Sequence, residues 1–273
     1  LDTAAMYLAC GIHPEKSCIF VQSSVPYHAE LMWILSCFTP LGFLNRMTQF
    51  KEKAGKKREQ ANLGLYSYPV LQAADILLYD TTHVPVGEDQ KQHIELARDI
   101  AGMLNHFIQE PVLKLPEPII PQHMKRIMSL RDGTKKMSKS DPSESSRLHI
   151  KDTSEDLHKK IRKAKTDSLP FPSQPEELAT RPEVENLINI YHGLTDTPLN
   201  QIFKTFQACP LSQFKEALIE ACTNHLTPMR EHYFAYRENQ EKLKSILKEG
   251  TQKAQDMAAP ILKKVRTTLG LLY

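Results

Sequence analysis

Two lysines flank a serine in Lys136-Met137-Ser138-Lys139-Ser140, a run preceded by Gly133, Thr134 and Lys135 and closed by Asp141-Pro142. Ammonium groups on flexible stems act as mobile point charges. Ser138, Ser140 and the local backbone N–H groups can donate to phosphate oxygens, so the loop could follow negative charge onto a leaving pyrophosphate. Following charge needs movement, and Gly133 before the loop is expected to permit it. For an isolated Lys/Ser string a solvated basic turn is the better reading; here the surroundings decide.

Asp75 stands in the apolar helical stretch Ala73-Ala74-Asp75-Ile76-Leu77. A carboxylate there needs a donor if it is buried, or else sits partly exposed. Gly87-Glu88-Asp89-Gln90 reads as a strand-to-helix junction, where Gly87 lets a ligand approach the backbone and the helix start offers free N–H groups. Acidic residues at such a start also suit the helix dipole without any ligand. Two basic clusters follow the same double reading. The run Lys51 to Arg58 is by default a solvated loop. His158 to Lys165, behind a Thr153 cap with Glu155 and Asp156 in the first turn, is either soluble helix surface or a phosphate-steering face.

Positioning these groups requires alternating strands and helices. Cys18 to Gln22 is a compact β-rich run, followed by Ser24 as a cap and a helix through Leu31, Ile34, Leu35 and Phe38. His83 to Val86 reads as a second strand, leading to a helix from Glu88 to about Leu104 with Ile94, Ala97, Ile100, Ala101 and Leu104 on one face. A third apolar run, Arg126 to Leu130, leads to the Lys/Ser loop. This order predicts a parallel sheet covered by helices, with ligands at the strands' carboxyl ends, near Gly87-Glu88 and Leu130-Arg131. From about Thr153 only helical spacing recurs, with separators expected at Pro198, Pro210 and Pro228, a loop over Ser168 to Glu177, and a break or kink at Pro260.

The chain has 273 residues and 41% hydrophobic content, enough for one large domain or two. No apolar run approaches the roughly 20 residues of a membrane span. The first residues lack the cationic start of a secretory signal. Five widely spaced cysteines, none in a Cys-x-x-Cys pair, argue against a disulfide scaffold or zinc ribbon and fit a reducing cytosol. The formal charge of +3 is modest, so the clustering of basic residues matters more than their sum.

Lys136 to Ser140 matches the Lys-Met-Ser-Lys-Ser motif of class I aminoacyl-tRNA synthetases. Its flanks, Ile127-Met128-Ser129-Leu130 and Ser140-Asp141-Pro142, resemble the tryptophanyl-tRNA synthetase branch. The blocks Ser67 to Tyr79 and Val84 to Leu96 are similar to that family in order and spacing, and the resemblance weakens after about residue 165. It implies an α/β, Rossmann-like nucleotide-binding domain over 1–130, a loop and linker over 131–145, an all-α tRNA- or anticodon-binding domain over 146–250 and a C-terminal helix over 251–273. It also implies that L-tryptophan is activated with ATP and Mg2+ and passed to tRNA(Trp) by a cytoplasmic homodimer.

Residue by residue, the resemblance makes Asp75 the acceptor of the indole N–H. Tyr68 and Gln90 contact the substrate's ammonium and carboxylate, and Val84 and Val86 wall the indole. Gly87, Glu88, Asp89 and Ile127 meet adenosine, while Lys136, Met137, Ser138, Lys139 and Ser140 handle phosphate. A lysine matching Lys53 reaches ATP from the first basic loop, with Lys51 and Lys56 as alternatives. No resident metal site is implied. Gln72 departs from the methionine common in bacterial relatives and brings a polar group beside the pocket. The family's N-terminal strand and its His-Ile-Gly-His-like motif are not found, so the nucleotide fold is expected to be N-terminally incomplete. The rival reading is therefore a truncated, catalytically weak relative that binds tRNA or a partner. Tyrosyl-tRNA synthetase shares the architecture, but the motif flanks favour tryptophan.

Overall fold

The computed structural model describes residues 1–55, 60–120 and 126–271, apart from the side chains of Glu52 and Lys53. Its helices are, in chain order, α1 (Asp2–Ala9), α2 (Tyr27–Phe38), α3 (Leu41–Arg46), α4 (Thr48–Ala54), α5 (Leu63–Leu77), α6 (Lys91–Ile108), α7 (Ser154–Arg162), α8 (Pro182–Thr195), α9 (Leu199–Phe206), α10 (Leu211–Glu238) and α11 (Gln240–Thr268). The strands are β1 (His83–Pro85), β2 (Glu117–Ile119), β3 (Met128–Ser129) and β4 (Asp132–Lys136). They form two compact units. An α/β unit combines His13–Gln122 with Glu241–Tyr273, and a helical unit combines Leu1–Ile12 with His123–Gln240.

In the α/β unit, β1 and β2 pair in parallel, with His83 opposite Glu117 and Pro85 opposite Ile119. The sequence periodicity of α6 is realised: Ile94, Ala97, Ile100, Ala101 and Leu104 are fully buried. They share a core with Leu31 and Leu35 of α2, Val70, Ala73 and Leu77 of α5, and Ala254, Ala258, Leu262 and Val265 of α11. Asn62 caps α5, its Oδ1 accepting the Leu65 N–H at 3.1 Å. Pro69 lies inside that helix, and packing against α2 and α6 compensates for the missing amide donor.

The helical unit is built around Leu157, Ile161, Phe171, Val184, Ile188, Ile202, Phe214 and Leu218. The expected Thr153 cap is present as a capping box with Asp156. At the other end of α7, buried Lys215 donates to the carbonyls of Ala164 at 2.7 Å and Arg162 at 3.4 Å. Burial pushes the Lys215 ammonium's pKa down.

Three expectations are corrected. The run Cys18 to Gln22 forms no strand; no described strand lies beside it, and α11 does instead. Cys18 Sγ donates to the Gly250 carbonyl at 3.2 Å, the Val21 N–H reaches Thr251 Oγ1 at 3.4 Å, and Gln22–Ser24 turn as a 3-10 helix. Arg126 to Leu130 supplies β3, but β3 pairs antiparallel with β4 in a hairpin. Pro228 separates no helices, since it lies inside α10, and α11 continues through Pro260 without a break, each helix having buried residues on both sides of its proline. The compact units divide the chain elsewhere than at 130, 145 and 250. α11 joins the α/β core through its Ala254, Ala258, Leu262 and Val265 face, while α1 packs on α10.

Candidate active site

The predicted residues divide between the units. Tyr68, Asp75, Val84, Val86, Gly87, Glu88, Asp89 and Gln90 belong to the α/β unit, whereas Ile127 and Lys136 to Ser140 belong to the helical unit. The side chain of Lys53 and the whole of Lys56 lie outside the described residues, and Lys51 is exposed on α4.

Asp75 has its donors. Gln22 Nε2 and His28 Nδ1 both reach Oδ1, each at 2.7 Å. Among the described residues none donates to Oδ2, and the Asp75 side chain is 34% exposed. His28 is buried, and its Nε2 lies 2.7 Å from the Tyr79 hydroxyl. Burial first, then the neighbouring Cys18 and Asp75, push that hydroxyl's pKa up to about 12, so it stays neutral. Phe20 stacks on the His28 ring at 5.9 Å. Gln22, His28 and Tyr79 were not assigned roles from the sequence. One signal was available for His28: it shares the buried face of α2 with Leu31 and Leu35.

On the neighbouring elements, the Tyr68 hydroxyl lies 3.1 Å from Nε2 of buried His93, and burial raises the Tyr68 pKa. Gln90 accepts from Gln72 at 3.4 Å and donates to Asp89 Oδ2 at 3.1 Å. Gln72, the departure from the bacterial pattern, thus touches a predicted substrate-contacting residue. Val84 lies in β1, and the Val86 N–H extends the pairing to the Ile119 carbonyl at 3.0 Å. Both valines are half-buried against the core. Gly87 begins the 3-10 turn Glu88–Gln90, where a Cβ would lie 2.9 Å from Asp89 Oδ1. A side chain at Gly87 would therefore displace Asp89.

The Lys/Ser run starts on β4 and leaves it at Met137. Its base is anchored. The Met137 N–H donates to the Ile127 carbonyl at 3.1 Å, and its side chain packs on the helical core. Buried Asn186 accepts from the Met128 N–H at 2.8 Å and donates to the Met128 carbonyl at 2.7 Å. Gly133 does not supply the expected mobility: it is buried within β4, and a Cβ there would lie 2.6 Å from the Glu183 nitrogen. Its role is close approach. Beyond the base, Ser138 and Ser140 hydroxyls meet at 2.8 Å, and Lys136 and Lys139 are exposed. Among the described residues neither lysine is in an ion pair. The second basic cluster differs, because Lys160 binds Asp152, Arg162 binds Glu216 and Lys165 binds Glu183, each at 2.7 Å. Local carboxylates offset much of that face.

A family model described as tRNA synthetases class I (W and Y) matches residues 1–227. The chain belongs to that synthetase family. It is 51% identical to the Tryptophan--tRNA ligase of Rickettsia felis, covering 100% of this chain and 82% of the relative. It is 48% identical to that of Caulobacter vibrioides, covering 98% and 78%. Two solved tryptophanyl-tRNA synthetases, each 35% identical, share the fold. That of Mycoplasma pneumoniae has a TM-score of 0.83, covering 98% of this chain and 81% of its own. That of Campylobacter jejuni, complexed with ADP and tryptophan, has a TM-score of 0.81, covering 98% and 82%. The Rossmann-like expectation for the nucleotide domain agrees with this class I synthetase fold.

Proposed function

We propose that the chain activates L-tryptophan with ATP and transfers it to tRNA(Trp) in the cytosol. The observation that carries this reading is Asp75, an acceptor in an apolar helix with one oxygen to which no described residue donates. Indole is donor-only. Phenylalanine would leave that oxygen unmet, a strong basis for rejection. The relatives' names support the same substrate.

In the first step, the tryptophan carboxylate attacks the α-phosphorus of ATP. The bond to the oxygen bridging the β-phosphorus breaks, and pyrophosphate leaves with its magnesium. In the second, a 3′-terminal tRNA hydroxyl attacks the adenylate carbonyl, losing its proton as AMP leaves. The protein's contribution is positioning and charge stabilisation. Lys136 and Lys139 act as the mobile cations on pyrophosphate, with Met137 as anchor and Ser138 and Ser140 as donors. Tyr68 and Gln90 address the amino-acid backbone, Val84 and Val86 the indole, and Gly87, Glu88, Asp89 and Ile127 the adenosine. Magnesium arrives with ATP; among the described residues no group of three His, Cys, Asp or Glu side chains forms a metal site.

The homodimer reading is supported by exposed apolar side chains of the α/β unit: Trp33 is 70% exposed, Leu63 77% and Phe107 67%. No described helix is long and apolar enough to cross a membrane.

The test is tryptophan-dependent ATP–pyrophosphate exchange, with tyrosine and phenylalanine as competitors. Lys136→Ala should slow adenylate formation far more than it weakens tryptophan binding. Equal effects on both refute the lysine's role, and absence of exchange favours a binding-only relative.

A further inference from the structure

We infer that His28 and Gln22 are positioning residues for substrate selection: together they fix Asp75 Oδ1 and leave Oδ2 as the single acceptor offered to the indole N–H. This deepens the reading of Asp75 and rests on it. Both donors converge on one oxygen, at 2.7 Å each. Donors serving only to offset the burial of Asp75 would do better spread over its two oxygens. With the imidazole as donor to Asp75 Oδ1, the hydrogen sits on His28 Nδ1. The Tyr79 hydroxyl engages the other ring nitrogen, and Phe20 covers the ring face. The imidazole is therefore held at both edges and on one face, and its orientation passes to the Asp75 carboxylate. Gln22 belongs to the 3-10 turn Gln22–Ser24, so that turn sets the second donor.

A structural role and a selecting role differ in what they discriminate. Tryptophan and 3-benzothienyl-L-alanine have nearly the same shape, but the latter carries sulfur in place of the ring N–H. Only a correctly presented acceptor separates them. The experiment measures equilibrium binding of both amino acids to the 273-residue chain and follows the ratio of their Kd values. Asp75→Ala should bring the ratio close to one. His28→Gln places its amide nitrogen near the old Nε2 position, away from Asp75, and should lower the ratio about tenfold, the scale of one lost charged hydrogen bond. His28→Asn places its nitrogen near Nδ1 and should retain most of the preference. Exposed Gln22→Ala should lower the ratio severalfold without disturbing folding.

If His28→Gln weakens both ligands equally while Asp75→Ala collapses the ratio, His28 is merely structural and the inference fails alone. A ratio unmoved by Asp75→Ala, or no tryptophan binding by the unsubstituted chain, overturns this inference and the Asp75 reading together. Should the His28 variants not fold, Gln22→Ala decides, because an unchanged ratio there also overturns the proposal.

Discussion

Replacing Gly250 by alanine should destabilise the protein, against the usual gain from a Gly→Ala change within a helix. Alanine is favoured over glycine in a helix interior by roughly 1 kcal/mol. At Gly250 that gain meets a wall: an added Cβ would lie 2.0 Å from the Ile19 carbonyl oxygen and 2.9 Å from its carbon. Ordinary carbon–oxygen contacts begin near ~3.3 Å, so the Ile19 backbone would have to retreat by roughly 1.3 Å. It is tethered by the Cys18–Gly250, Val21–Thr251 and Ser24–Gln255 hydrogen bonds. Overpacking costs about 1–3 kcal/mol, and each tether lost costs about 1 more. With one or two tethers lost and the helix gain of about 1 kcal/mol subtracted, the net loss is about 2–3 kcal/mol, or a fall in Tm of about 4–6 °C for a chain of this size. Gly102→Ala is the matched control, since it sits within α6 and an added Cβ meets nothing within 4 Å. It should raise Tm by about 2 °C. Thermal and urea unfolding followed by circular dichroism would measure both. If Gly250→Ala raised stability as much as Gly102→Ala, the close approach of α11 to Ile19 would be refuted. The retreating segment leads directly to Gln22, so Gly250→Ala should also weaken tryptophan binding.

Asn186→Ala should leave both Met128 backbone groups unpaired, costing about 2 kcal/mol or more and speeding hydrogen exchange across β3 and β4. Unchanged exchange there would exclude Asn186 as the clamp. For pH, hydrogen bonds from Lys151 and then Tyr233, with Arg237 nearby, lower the Asp2 pKa from 3.8 to about 2. A folded value below the unfolded one means that the contribution is present above about pH 4 and is lost as pH falls through about 2. Asp2→Asn should remove that part of the acid dependence, read by carboxyl NMR titration and Tm against pH. A wild-type Asp2 titrating near its ordinary value would remove the premise.

The features legible in the sequence were those set by near neighbours. The Thr153 cap, the apolar face of α6, the His83 strand and the Lys/Ser run each follow from residue types a few positions apart, because capping, helical spacing and charge clustering act over a turn or two. Asp75's need for a donor was equally readable from its apolar surroundings. Which donor met it was not, since Gln22 and His28 lie 53 and 47 positions away. The Cys18 run illustrates the same limit. Its composition favours a strand, yet a strand requires a partner, and the element beside it is α11, through a contact spanning 232 positions. Glycines were ambiguous for a related reason: Gly133 and Gly250 suggest flexibility by type, whereas packing makes them points of closest approach. Pro228 and Pro260 similarly signal helix ends locally, but long flanking helices with buried residues continue through them. Sequence determined which groups are available for chemistry, and most helices. Tertiary structure alone decided their partners, because the free energy that selects a distant neighbour comes from burial and hydrogen bonding available only once the chain has closed on itself.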